Sequence, residues 1–249
     1  MTLEFESPGV YQVNITGEFP AQSYPRNNCL RGIVDVLRWG NNSWEDMSYM
    51  FHYAENLDRI SAEDEPDLSN VESMIAMFDQ ADSFDADISD WDVSNVENMR
   101  SVFSETSFDQ DISSWEVSQV EDFAGMFSGT PFNQDISGWD TSNVYNMESM
   151  FAGAESFNQP IGSWDTSNVD DMRDMFSDAV SFNQDISTWD TSDVMHMQRM
   201  FSGAESFNQD IGSWNTRNAQ DMDYMFYGAT SFDQDISSWD TWTSWSILR

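Results

Sequence analysis

The chain has 249 residues, 45 acidic against 9 basic, for a formal net charge of −36, and all nine basic residues are arginine. That balance excludes a nucleic-acid binder, whose phosphate contacts need clustered Lys and Arg, and attraction to anionic membranes fails for the same reason. Disorder is excluded too, because 14% of the residues are aromatic and 39% hydrophobic, enough for a core.

Residues 1–41 stand apart from the rest. VYQVNITGEF alternates apolar and polar residues and reads as a strand. NNCLRGIVDVLRWG reads as a second strand leading into the first coil of a repeat. Together they are expected to form a short N-terminal β cap, the truncated end of a preceding module. The start shows neither a basic n-region nor an apolar run, so no signal peptide is visible. Cys29 is the single cysteine, which excludes an intrachain disulfide and any multi-thiolate metal site.

From residue 42 to 249 one repeat governs the chain. Phe51, Phe78, Phe103, Phe127, Phe151, Phe176, Phe201 and Phe226 recur at steps of 24 to 27 residues, and tryptophans from Trp91 to Trp239 follow the same step. Seven or eight copies of one period mean units that contact chiefly their neighbours. The expected fold class is α/β, a right-handed leucine-rich-repeat-like solenoid of about eight 25-residue coils, each a strand plus a helix. Ile88, Trp91, Val93 and Val96 have the spacing of a leucine-rich-repeat strand, with Trp inward and Asp92 outward. Val96, Met99, Val102 and Phe103 have helical spacing, and Ser69, Ser94 and Ser118 each precede a Glu three places on, as in a capping box. The Met and Phe columns read as one continuous core. At the far end Trp239, Trp242 and Trp245 break the pattern, as a makeshift cap or a cut array.

The recurrent W-D-T/V-S-N-V-x-x-M-x-x-M-F-x-x-A-x-x-F-N-Q-D-I, nearly intact from Trp139, Trp164 and Trp189, resembles the BspA-like leucine-rich-repeat surface proteins, including the repeat lipoproteins of mycoplasmas. The lead-in at SPGVYQVNITGEFP and WGNNSWEDMSYMF resembles theirs as well, and its start within a strand implies that Met1 is not the natural beginning. The resemblance implies an exported or surface-attached chain, several such proteins being adhesins, and it carries no catalytic residues over.

Chemistry is sparse. His52 and His196 are the only imidazoles, in distant units at variable positions, and read as ordinary surface residues. No phosphate loop, zinc-protease or nucleophile-elbow motif occurs, so the protein reads as non-enzymatic.

The acids are more informative, because they fall into columns. One is Asp92, Glu116, Asp140, Asp165, Asp190 and Asp240, interrupted by Asn215, with small flanking residues such as Ser114, Gly138 and Ser163. Another is Asp87, Asp111, Asp135, Asp185, Asp210 and Asp235, interrupted by Pro160. At a spacing of ~4.8 Å each neighbouring pair repels by roughly 0.9 kcal/mol in bulk water. The first column is the candidate partner-binding site, facing a basic protein patch or a cation-bridged glycan on another surface. The same columns also read as a solvated face. Calcium is the one metal they suggest, with Asp85, Asp87 and Asp90 as candidates, although no EF-hand loop is present. No other cofactor is expected. A threonine column, Thr141 to Thr241, would suit ice only if it faced outward, and its phase beside Trp places it inward. Asn–Gln pairs at 133–134, 158–159, 183–184 and 208–209 read as stacked amide ladders.

The expected function is therefore a surface or secreted adhesion module, monomeric, part of a larger adhesin. A structural spacer with no ligand, or a calcium-binding solenoid, are the alternatives.

Overall fold

The computed structural model describes residues 30–240. Cys29, the strand expected at VYQVNITGEF, Thr241 and the Trp242–Trp245 pair lie outside them. A single 3-10 turn, Leu30–Gly32, is followed by β1, Asp35–Val36, which pairs in parallel with β2, Arg59–Ile60, Asp35 opposite Arg59. Arg59 Nε reaches Asp35 Oδ2 at 3.0 Å, and Ser61 N donates to Asp35 Oδ1 at 2.9 Å, so the pair is held by side chains as well as backbone.

Beyond β2 the described residues contain neither helix nor strand. Single-residue parallel bridges join consecutive repeats instead, through Ser73, Asn98, Asp122, Asn146, Asp171, His196 and Asp221. The segment 147–154 shows why no helix forms. Four alternate N–H groups leave the unit: Met147 bonds Asp171 O at 2.9 Å, Ser149 bonds Arg173 O at 2.7 Å, Phe151 bonds Met175 O at 2.9 Å and Gly153 bonds Ser177 O at 2.7 Å. The intervening ones turn back three residues, Met150 to Met147 O at 3.2 Å, Ala152 to Ser149 O at 3.1 Å and Ala154 to Phe151 O at 3.0 Å. A helix would spend all of these within itself. Here every second peptide joins a neighbour, and the helices expected over Val96 to Phe103 and its equivalents are replaced by a chain of four-residue turns. The capping box expected at Ser94 is replaced likewise, its N–H bonding Asp92 Oδ1 at 3.1 Å.

The turns Met147–Met150 and Phe151–Ala154 take a positive φ at their third residue, as in a type II turn. Ser149 and Gly153 supply it at 56° and 71°, and every repeat has an equivalent pair four residues apart. At the second of these places Gly129, Gly153, Gly203 and Gly228 alternate with Tyr53, Gln80, Glu105 and Asp178. An L side chain there costs about 1 kcal/mol relative to glycine. Glu105→Gly is accordingly expected to stabilise the protein by about 1 kcal/mol and Gly153→Ala to destabilise it by a similar amount. Space does not decide the second case, since the new Cβ would lie 3.6 Å from its nearest neighbours, an ordinary contact. Urea midpoints of the two variants test the sign.

The core is one file of aromatic and methionine side chains. Met147, Met150, Phe151, Ala154 and Phe157 are fully buried, and so are their counterparts in the next two repeats, from Met172 to Phe182 and from Met197 to Phe207. Phe151 stacks on Phe157 at 3.8 Å within its unit and on Phe176 at 5.7 Å in the next. Trp164, 4% exposed, sends its indole Nε1 to Ile136 O at 3.1 Å, the same carbonyl that accepts Trp139 N. Both lone pairs of that carbonyl are thereby used inside the core, where an unpaired polar group would be costly. Trp91 to Trp239 thus lie inward as their phase predicts, without the strand expected around them.

A candidate binding face built on capped turns

In the repeat from Asp135 to Gln159, three Asp or Asn residues sit immediately ahead of turns. Asp135 precedes the turn closed by Trp139 N and Ile136 O, Asp140 the turn closed by Val144 N and Thr141 O, and Asn146 the turn closed by Met150 N and Met147 O. In every case the side-chain Oδ1 accepts the N–H two residues on: Ser137 at 2.9 Å, Ser142 at 3.1 Å and Glu148 at 3.0 Å. This is the Asx turn, for which Asp and Asn are the suited residues. The acid columns therefore have a structural cause.

The predicted column is placed as expected on the outside: Asp92, Glu116, Asp140, Asp165, Asp190 and Asp240 are all exposed. Asp92, Asp140, Asp165 and Asp190 each cap the serine two residues on at 2.9–3.1 Å, and Asn215 does the same for Arg217 N–H at 3.2 Å. Hydrogen bonds from Ser94, Ser167 and Ser192 hold the carboxyls of Asp92, Asp165 and Asp190 below their ordinary range, while the neighbouring charge of Asp165 works the other way on Asp190. In the second column Asp87, Asp111, Asp135, Asp185 and Asp235 are lowered by the backbone N–H two residues on. The flanking small residues are not bare either, since Ser114 and Ser163 hydroxyls bond the carbonyls of Ser89 and Ser137 at 3.1 and 3.0 Å.

A carboxyl whose folded pKa is lowered contributes stability above its unfolded pKa and loses it as pH falls through the folded value. With eleven such groups among the described residues, Asp35, Asp64 and Asp67 included, stability is expected to drop below about pH 4. Asp122 acts in the opposite sense, because burial pushes its carboxyl up and protonation there relieves a cost. One group against eleven leaves the sign unchanged. Urea unfolding at a series of pH values checks this, and a midpoint flat from pH 5 to pH 2 would show that the caps contribute nothing.

Two of the three calcium candidates, Asp85 and Asp87, accept hydrogen bonds from the fold, and all three are exposed. Asp85 Oδ1 accepts Asp109 N and Gln110 Nε2, both at 2.9 Å, and Asp87 Oδ1 accepts Ser89 N at 3.0 Å. Among the described residues no group of three or more His, Cys, Asp or Glu is placed to hold a metal ion. Thr141, Thr166, Thr191 and Thr216 are buried, 1–3% exposed, and donate to the carbonyls of the next repeat, so they offer no outward hydroxyl.

Two groups carry no clear mark in the sequence. His52 is not a surface residue: it is 8% exposed, lies 4.1 Å from the Tyr53 ring, and has Nδ1 3.1 Å from Asp79 Oδ2. On the bridge-bearing side, Arg100 and Arg173 share Glu148 at 3.7 Å each, and Arg173 also grips Asp171. Tyr145 stands beside them, 44% exposed. The signal for this group is weak, two of nine arginines at the same phase of two different repeats.

No helix among the described residues is long and apolar enough to cross a membrane. No curated protein matches the chain. Its sequence matches the family described as "Mycoplasma protein of unknown function, DUF285" in three overlapping stretches, residues 45–161, 118–190 and 157–246. Those stretches take in every repeat on which the capped turns recur, and the chain belongs to this repeat family.

Proposed function

We propose that the chain is a non-enzymatic binding module of the BspA-like surface type, its units stacked as a right-handed leucine-rich-repeat-like solenoid, holding a basic protein patch along the outward acid column. On this reading it works outside the cell as part of a larger adhesin. The observation that carries the proposal is the column Asp92, Asp140, Asp165 and Asp190: exposed, held by the same cap in each repeat, and lowered in pKa at three of the four. Fixed like charges at a regular step favour a cationic partner that relieves their mutual repulsion.

The test exploits Asn215. Because an amide keeps the cap there, the triple substitution Asp140→Asn, Asp165→Asn, Asp190→Asn removes three charges and retains the turns. Binding to an immobilised lysine-rich peptide at about 0.15 M salt is expected to weaken at least tenfold, with unchanged circular dichroism. Equal binding by both proteins sinks the reading. The uninterrupted core and ladder also suit a spacer with no ligand, and absence of any binding by the parent chain would favour that.

A further inference from the structure

We infer that Tyr145 is the anchor that fixes the register of a basic partner, its ring receiving one arginine guanidinium of a protein segment between Glu121 and Asp170. The inference rests on the proposed binding of a basic protein patch and adds the place where its register is set. The capped column does not set it: Asp140, Asp165 and Asp190 are alike, so a basic patch engages equally well one repeat further along. A position that differs from unit to unit is needed, and the residue after the core valine provides one. It reads Glu72, Glu97, Glu121, Tyr145, Asp170 and Met195 in successive repeats, whereas the tryptophans and the F-N-Q-D-I segments hardly change. Backbone bonds of 2.8–2.9 Å, each N–H to the carbonyl one repeat before, hold these six in one file. Their side chains cap no turn: among the described residues the carboxylates of Glu72, Glu97, Glu121 and Asp170 accept no hydrogen bond and join no ion pair.

Tyr145 is the one aromatic in this file and is 44% exposed. Its ring stacks on no other ring among the described residues. Burial raises the pKa of its hydroxyl, and the charges of Asp122, Glu121 and Asp170 add to the rise, so carboxylates surround it. The arginines beside it, Arg100 and Arg173, are turned to Glu148 at 3.7 Å each. An electron-rich ring among carboxylates attracts a cation to its open face. Rungs of such a ladder lie ~4.8 Å apart. A guanidinium over the ring therefore has a carboxylate one rung away on either side. Its planar fork addresses both, where a compact ammonium addresses one.

The probe is a capped (Arg-Gly)4 peptide, titrated into the full chain at low salt and followed by NMR. Tyr145→Gln installs the residue that the same file carries at Gln220, and circular dichroism should not change. It should weaken the peptide about threefold, whereas Tyr145→Phe, which keeps the ring, should stay within about twofold of the parent. The arginine δ-methylene signals should move upfield with the parent and with Tyr145→Phe, and not with Tyr145→Gln. Charge alone predicts equal binding by all three proteins, so an undiminished affinity of Tyr145→Gln overturns the inference. Equal losses in the Gln and Phe variants overturn it as well. The substitutions at Asp140, Asp165 and Asp190 separate it from the outward column: binding that falls with those three and not with Tyr145→Gln refutes the anchor alone, and no binding by the parent refutes both.

Discussion

Replacing Phe176 by alanine is expected to destabilise the protein by about 3–5 kcal/mol, the largest effect of any single truncation in the file. Phe176 is fully buried and sits at a junction: 3.9 Å from the Phe182 ring, 5.7 Å from Phe151, 5.6 Å from Phe201 and 6.2 Å from Trp189. Two of those partners belong to the neighbouring repeats, so the cavity would open across both interfaces at once. In a protein held by nearest-neighbour contacts, weakening a central interface uncouples the two sides. The melt should therefore broaden or split as well as shift, and the urea m-value should fall. Phe176→Leu, which leaves most of the volume filled, should cost about 1–1.5 kcal/mol and keep one transition. Tryptophan fluorescence and far-UV circular dichroism followed together report both features. A cost below about 1 kcal/mol for the alanine variant would mean that the repeats do not depend on this packing.

The apolar pattern that marks this core is the same one that misleads about helices. Met147, Met150, Phe151 and Ala154 lie at i, i+3, i+4 and i+7, the mark of an amphipathic helix. Two four-residue turns joined by one link generate the same series, because each turn brings its ends to one side. Burial is therefore read correctly from either cause, and all four are fully buried. Hydrogen-bond direction is not, since it depends on φ. The signal that separates the two is present in Gly125, Gly129, Gly153, Gly203 and Gly228, which stand where positive φ is needed. Glycine at such places is poor in a helix interior. Tyr49, Ala76, Arg199 and Tyr224 hide the rule, because they take the same conformation without the residue type that announces it.

The acid columns are located correctly by their spacing and explained incompletely by it. That spacing points to an outward face, and the side chains are there. What spacing alone does not reveal is that each acid precedes a turn, so the Asx cap stays hidden. The third such column, Asn98, Asp122, Asn146, Asp171 and Asp221, mixes acids with amides and therefore never stands out as charge. Once the turns are known, the mixture is natural: a cap needs an Oδ1, which both residues have.

The same equivalence fails where side chains stack, and Asn158 gives the second large effect. Its Oδ1 accepts Asn183 N–H and Gln184 Nε2, both at 2.9 Å, and its own N–H donates to Asn133 Oδ1 at 2.9 Å. Asn158→Leu deprives two donors of their acceptor in a half-buried ladder, at about 1–3 kcal/mol for each. A loss of roughly 2–5 kcal/mol is expected, and urea unfolding would measure it. Asn158→Asp keeps both bonds and should stay within about 1 kcal/mol of the parent. Three neighbouring replacements, Asn133→Asp, Asn158→Asp and Asn183→Asp, behave differently. With Asp85 and Asp109, whose Oδ1 atoms accept Asp109 N–H and Asn133 N–H at 2.9 Å each, they place five carboxylates in file. Each adjacent pair repels by about 0.9 kcal/mol in water at ~4.8 Å, and by more where water is excluded. The parent avoids this by keeping acids near the ends of the ladder, at Asp85, Asp109 and Asp233, with amides at Asn133, Asn158, Asn183 and Asn208 between. The triple variant should thus lose stability most in low salt and recover part of it in molar NaCl or as the added carboxylates protonate. Salt-independent unfolding of that variant would refute electrostatics as the reason for the amides.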